Sequence, residues 1–291
     1  MVGEIDAAAL TASFIILGFL LLSTILWIRQ IQRTKNEVIP DAEAHPWNLS
    51  WVDFMLFLCA AVVSVAAVQA IGFTLLKDDI EAAENELTPG LAIAAVLFLQ
   101  LPLLAIFFLA RRLFPAMYAC RLNTQSYSIG AAIKEAVPTF IMYLPLFWIV
   151  SFLWGSFLTI LQSIGLIEEF PPQPLVQIFR SGGDQLMIGI LVVFAVMLAP
   201  FVEEIIFRGC IYRFLKSKTT FFLAQLISGI VFSLMHANLM SLVPLIFVGI
   251  ILARVYEKSG NLLVPICFHA LFNGFNLLML YITSQSAILP Q

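Results

Sequence analysis

Residues 199–209 read APFVEEIIFRG. Two adjacent glutamates, Glu203 and Glu204, and an arginine, Arg208, stand in a stretch otherwise fit for hydrocarbon. The run 185–202 before them carries no charge, and Ile205, Ile206 and Phe207 continue the apolar character past them. Ionisable groups inside a bilayer are expensive, so they are paired or functional. Glu204 and Arg208 are spaced i, i+4, which makes them neighbours on one helix face, able to neutralise each other. Glu203 lies about 100° around the helix from Glu204 and needs its own reason. Pro200 adds to the case. It frees a backbone carbonyl within the span, and freed groups of this kind line cavities.

The whole chain fits this reading. It has 291 residues, 61% hydrophobic and 11% charged, with mean hydropathy +0.99. Average globular charge content is about 25%, and a soluble domain cannot hide so much apolar surface. The runs are long and unbroken, not the short alternating segments of a barrel. The expected fold is an all-α integral membrane protein, a bundle of about eight transmembrane helices with a cavity in its C-terminal half. A net charge of −3 argues against nucleic acid as a partner. Cys59, Cys120, Cys210 and Cys267 form no CxxC pair, so no disulfide framework or structural zinc site is expected.

Charge-free runs mark the spans at 7–28, 54–76, 87–110, 136–167, 185–202, 219–253 and 259–291. The run 219–253 is too long for one crossing and breaks near Asn238–Pro244, which gives two helices. The last run holds one helix, about 262–282, after a Gly260–Asn261 turn. With the N-terminus outside, thirteen of the 15 basic residues fall on cytoplasmic segments, Arg208 among them, leaving Lys77 and Arg180 outside. By the positive-inside bias both termini face away from the cytoplasm, and the expected location is a bacterial inner or plasma membrane. The first run is too long for a cleaved signal and lacks preceding basic residues, so it reads as a retained span. Residues 29–50 read as a polar cytoplasmic linker, 113–135 have room for a short interfacial helix, and PPQP (171–174) stops the fourth span. The division is 1–115, plain apolar spans with polar loops; 116–184, an interfacial segment, a span and an external loop; and 185–283, the core in which the polar residues within the membrane concentrate.

Three histidines are present. His45 lies in a polar loop and reads as solvated. His236 ends FSLMH and His269 opens HALFN, both inside apolar runs. Asn273 lies one turn after His269 on the same face, and Asn276 extends that polar stripe. A carboxylate and an imidazole can together bind and deprotonate a water. An imidazole N–H and an asparagine amide can donate to an oxyanion as it forms. Those are the two halves of direct amide hydrolysis.

The set Glu203-Glu204-Ile-Ile-Phe-Arg208, Phe232-Ser-Leu-Met-His236 and His269-Ala-Leu-Phe-Asn273 resembles the family of CAAX proteases and bacteriocin-processing proteins, whose best-known members are the type II CAAX prenyl endopeptidases. The resemblance covers about residues 185–282. It implies an integral membrane endopeptidase acting on a membrane-associated substrate, of CAAX or leader/bacteriocin type, from a cavity open to the cytoplasm. It implies that Glu203 and His236 activate water, that His269 and Asn273 form the oxyanion site, and that Glu204 and Arg208 support them. It favours a mechanism without a metal or other cofactor; a zinc ion, if one were bound, would draw on Glu203, His236 and His269. No HExxH helix exists. The expected partners are the bilayer and a peptide or membrane-tethered protein. Other protease designs fit worse: Asp53 sits at a span edge, Ser156 lacks a serine-protease context, and Cys210 has no histidine at near helical spacing. A proton-coupled transporter and a non-catalytic scaffold or bacteriocin-immunity protein are the competing readings.

Overall fold

The computed structural model describes residues 7–36, 44–83, 87–118, 121–168, 178 and 184–286. PPQP, Arg180 and Cys120 lie outside them. Eight main helices follow one another among the described residues: α1 (Ala7–Asn36), α2 (Trp51–Leu75), α3 (Pro89–Leu113), α4 (Ile129–Ser163), α5 (Gln185–Lys218), α6 (Phe221–Leu234), α7 (Leu242–Ser259) and α8 (Leu263–Ser286). Two short helices, Lys77–Ala82 and Pro115–Tyr118, join them. Each expected helix is present, and the chain is a multi-span helical membrane bundle. Among the described residues, six of these helices are long and apolar enough to cross a bilayer. The exceptions are α6, with 14 residues, and α7, which carries Arg254, Glu257 and Lys258 in its last turns. Large apolar side chains point outward along the bundle, among them Phe73, Leu75, Phe152 and Phe222. Lipid is the solvent that suits such a surface.

Polar caps set the helix starts. The Ser50 hydroxyl accepts from the Asp53 amide at 3.1 Å, Ser128 from Ala131 at 3.2 Å, and Asp184 from Leu186 at 2.9 Å. Thr88 caps α3 with Pro89 in the first turn, where a missing N–H does no harm. Gly260 closes α7 in the left-handed region at φ 60°, which glycine enters without a Cβ clash. The Asn261 side chain then accepts from the Leu263 amide at 2.8 Å and starts α8. The Gly260–Asn261 turn was legible for these reasons.

Three segments differ from expectation. The fifth helix does not end near residue 202 but runs on to Lys218. Arg208 and Arg213, counted as cytoplasmic loop residues by the charge rule, are fully buried helical residues. Nothing between 202 and 218 caps or breaks the helix, and the next cap is Thr220. The fourth helix starts at Ile129, about two turns of helix before the charge-free run, because Lys134 and Glu135 are tolerated near its end. The linker is not a solvated loop throughout. Its end packs on α5: the Arg213 guanidinium donates to the His45 carbonyl at 2.6 Å, and the Trp47 amide donates to the Arg213 carbonyl at 3.0 Å. Lys216 reaches the Ala44 carbonyl at 2.6 Å and Glu257 of α7 at 2.6 Å. Trp47 is buried against Phe54, Phe57 and Tyr118.

Helices α6 and α7 cross at close range. A Cβ built on Gly249 would stand 2.7 Å from the Gly229 Cα, and one on Gly229 would stand 2.9 Å from the Ile246 carbonyl oxygen. Both neighbours are backbone and cannot step aside. Gly249→Ala is expected to destabilise the bundle by about 1–3 kcal/mol through overpacking. Gly90→Ala, whose Cβ meets nothing within 4 Å, is the neutral control. Thermal unfolding of the detergent-purified protein measures both, and equal midpoints would contradict the crossing.

Candidate active site

The site is built on the middle of α5, where the helix changes register. Residues Phe194–Leu198 and Ile205–Tyr212 are π-helical, with regular α-helix from Ala199 to Glu204 between them. In the first stretch the Ala199 amide bonds the carbonyl five residues back, that of Phe194. The same register would pair the Ala195 carbonyl with residue 200, a proline, which has no N–H. The Asn273 amide of α8 fills that place, donating to Ala195 O at 2.8 Å. The carbonyl freed around Pro200 is therefore satisfied from another helix. Turns of π-helix recur at functional sites for this kind of reason.

The two glutamates then face different partners. Glu204 is fully buried. Its Oε1 accepts from the Arg208 guanidinium at 2.8 Å and lies 2.8 Å from His269 Nδ1. Arg208, also fully buried, donates in addition to the Gly249 carbonyl of α7 at 3.0 Å, and its guanidinium lies 4.6 Å from the Phe232 ring centroid. Glu203 faces α3. Its Oε1 accepts from the Gln100 amide at 3.2 Å. Its Oε2 is buried without a hydrogen-bond partner and stands 3.8 Å from His269 Nε2. The His269 ring thus spans the two carboxylates. A carboxylate only accepts, so Nδ1 carries the proton shared with Glu204, and in the neutral ring Nε2 presents a lone pair toward Glu203.

His236 lies on the other side of Phe232. The Phe232 ring centroid is 4.7 Å from the His236 ring and 5.6 Å from the His269 ring. His236 is exposed, just past the end of α6, with Nδ1 2.8 Å from the Phe232 carbonyl. That carbonyl fixes Nδ1 as the protonated nitrogen and leaves Nε2 as an outward lone pair. Ala237, directly after it, has φ 46°, a conformation rare for a side chain with a Cβ. Asn276 turns back to the Phe272 carbonyl of its own helix at 2.8 Å.

Of the six residues singled out in the sequence, Glu203, Glu204, Arg208 and His269 form one contiguous cluster. His236 joins it through the Phe232 ring, not by a hydrogen bond to Glu203. Asn273 is tied to the backbone of α5 beside the cluster. Gln100 was missed. The signal was its isolation: from Pro89 to Ala110 it is the one polar side chain. Glu203, His236 and His269 do not stand as a metal-ligand trio, and among the described residues no group of three or more His, Cys, Asp or Glu could hold a metal ion.

Residues 185–275 match the family model described as type II CAAX prenyl endopeptidase Rce1-like. That stretch holds Glu203, Glu204, Arg208, His236, His269 and Asn273, and it is about a third of the chain. The putative membrane peptidase YdiL of Bacillus subtilis (strain 168) is 31% identical over 157 residues, covering 54% of this chain and 60% of its own length. The membrane-embedded CAAX protease MroQ of Staphylococcus aureus (strain USA300) is 33% identical over 95 residues, 30% of this chain and 38% of that protein. An uncharacterized 24.3 kDa protein of Escherichia coli is 36% identical over 78 residues, 25% of this chain and 36% of that protein. The chain thus spans 60% or less of each of these relatives. No solved structure matches.

The two glutamates should behave differently on substitution. Glu204→Ala strands a buried guanidinium, and removing one partner of a buried pair costs about 3–5 kcal/mol. The expected outcome is loss of monodisperse protein on size-exclusion chromatography. Glu203→Gln keeps shape and leaves no buried cation unpaired, so it should extract and unfold like the wild type. Equal loss of both proteins would contradict this assignment.

Proposed function

We propose that the chain is an integral membrane endopeptidase that hydrolyses a peptide bond in a membrane-tethered substrate with a glutamate-activated water. The observation that carries this reading is the leftover carboxylate. Each glutamate keeps Oε2 buried without a hydrogen-bond partner, but Glu204 is neutralised through Oε1 by Arg208 beside His269, whereas Glu203 has no cation in hydrogen-bond reach and turns its Oε2 toward an imidazole. A carboxylate with one oxygen held and the other open is suited to take a proton. The match to a CAAX prenyl endopeptidase family over this same stretch supports it.

In this reading Glu203 Oε2 accepts one proton of the attacking water, and the lone pair of His236 Nε2 accepts from it on the exposed side. The water oxygen bonds the scissile carbonyl carbon and the C=O π pair moves onto oxygen. That oxyanion is met by His269 Nε2, which must carry a proton in this role, with Glu204 Oε1 at 2.8 Å from Nδ1 balancing the charge. The second N–H of the Asn273 amide completes the cradle; the first is committed to Ala195 O, and this bond pre-orients the group. Collapse returns the π bond and expels the amine, which takes the proton held by Glu203. Oxyanion donors of this kind are each worth about 10²–10³ in rate. No step passes through a metal. The tethered substrate is of CAAX or leader type, and the chamber opens on the side of the membrane that carries the basic residues.

Full-length protein in lipid nanodiscs should cleave a quenched peptide ending in a prenylated CaaX sequence, or an unprenylated leader peptide offered in parallel. Glu203→Gln should lower turnover by about 10²–10⁴-fold, the usual contribution of general acid–base catalysis. Wild-type turnover should survive a chelator. Wild-type rates in the Glu203→Gln protein would end this reading, and loss of activity with a chelator would end its metal-free form.

A further inference from the structure

Gln100 lies outside the stretch that matches the endopeptidase family, in the part of the chain read as plain apolar spans. Its flanking residue Leu101 is half exposed to lipid, while Gln100 itself is 3% exposed. The carboxamide therefore sits on the inward face of α3. A buried amide without partners is costly, and a leucine or methionine would fill the same space without that cost. The one hydrogen bond this amide makes is to Glu203 Oε1, at 3.2 Å. Its own Oε1 is buried without a partner. Packing within α3 gives the amide no other reason to be there.

We propose that Gln100 is a positioning residue for the Glu203 carboxylate: its N–H holds Oε1, so that Oε2 is the oxygen presented to His269 and to the reacting water. This rests on the proposed role of Glu203 as base. A carboxyl group has two equivalent oxygens and a freely turning terminal torsion. Glu204 is fixed by two partners on Oε1, but Glu203 has no cation in hydrogen-bond reach, and the amide of α3 is its sole hydrogen-bond anchor. An amide suits this task better than a lysine or arginine. It fixes the oxygen without neutralising the charge that must accept a proton. The inference also gives the N-terminal helices a part in the chemistry: α3 supplies the anchor, and so the matched region alone lacks one side of the site.

The test uses full-length protein in lipid nanodiscs carrying Gln100→Met, which keeps length and volume, or Gln100→Glu, which keeps shape. The Glu203 carboxylate infrared band is isolated by subtracting the spectrum of the same protein with Glu203→Gln. Loss of the donor in Gln100→Met should move that band while thermal unfolding stays at the wild-type midpoint. Turnover of the quenched prenylated peptide should fall by about 10- to 100-fold in kcat, with KM nearly unchanged, as expected when a reacting group is misaligned and not removed. Gln100→Glu sets two carboxylates where both cannot ionise, and the pair shares a proton. The charged and titratable groups around it are Glu204 and Arg208 on α5 and His269 on α8. A shared proton has to leave before Glu203 can act, so the acidic limb of the kcat profile should move to higher pH. An unmoved band with wild-type kcat in Gln100→Met overturns the proposal. Should Gln100→Met not fold, the pH profile of Gln100→Glu decides instead, and a wild-type profile overturns it. Full activity in Glu203→Gln would instead remove the base assignment, while the infrared band still reports whether Gln100 holds the carboxylate.

Discussion

The buried contact of Arg208 with Glu204 is the interaction on which the rest depends. Both groups are fully shielded from solvent, so each would be intolerable without the other. Coulomb attraction at 2.8 Å offsets desolvation better when further hydrogen bonds support the pair. Other helices supply two of them, while Glu204 Oε2 and Arg208 Nε are buried without a partner. The guanidinium reaches the Gly249 carbonyl on α7, and the carboxylate reaches His269 on α8. Gly249 can bring its carbonyl there because it crosses Gly229 of α6 with no side chain between them. A contact of two small residues thus lets an ion pair form, and the ion pair fixes the angle of an imidazole. Displacing any of the three helices would leave a charge unmatched, which is how a costly buried pair can specify one arrangement.

Much of this was legible in the sequence because hydrocarbon makes polar residues conspicuous. The helices, the break before Pro244 and the Gly260–Asn261 turn follow from apolar runs and from Gly and Pro chemistry. The i, i+4 spacing of Glu204 and Arg208 gave their pairing directly. Counting charges misled at Arg208 and Arg213. The positive-inside bias treats a basic residue as a marker of water, whereas here one guanidinium is matched by Glu204 and the other by the His45 carbonyl. The docking of 44–49 onto α5 leaves no periodic trace, since it uses backbone groups that every residue possesses.

The details of the site were hidden for a different reason. A period of 3.6 residues places side chains on faces only while the helix stays regular. Two π-helical stretches in α5 break that rule, and they decide which carbonyl Asn273 must satisfy. The separation of His236 from His269 by the Phe232 ring also depends on two helices meeting, which no single segment records. Gln100 was readable only as an oddity: its partner lies 103 residues away.

Formal charge shows why two adjacent glutamates are present and not one. Glu204 and Arg208 cancel, and they do so in the most deeply buried part of the cluster. Glu203 then remains as an additional carboxylate, about a third of a turn away and 16% exposed at its side chain. If the cluster served only to hold helices together, Glu203 would add a desolvation cost and no contact that a glutamine could not make. The neighbouring groups do not cancel it. Gln100 is neutral, and His269 stands too far from Oε2 for a direct hydrogen bond. The protein folds around an oxygen that it has anchored on one side and left open on the other. In a bilayer, where a spare charge is selected against by its own solvation energy, that arrangement calls for a use, and the proposed role of Glu203 as base supplies one.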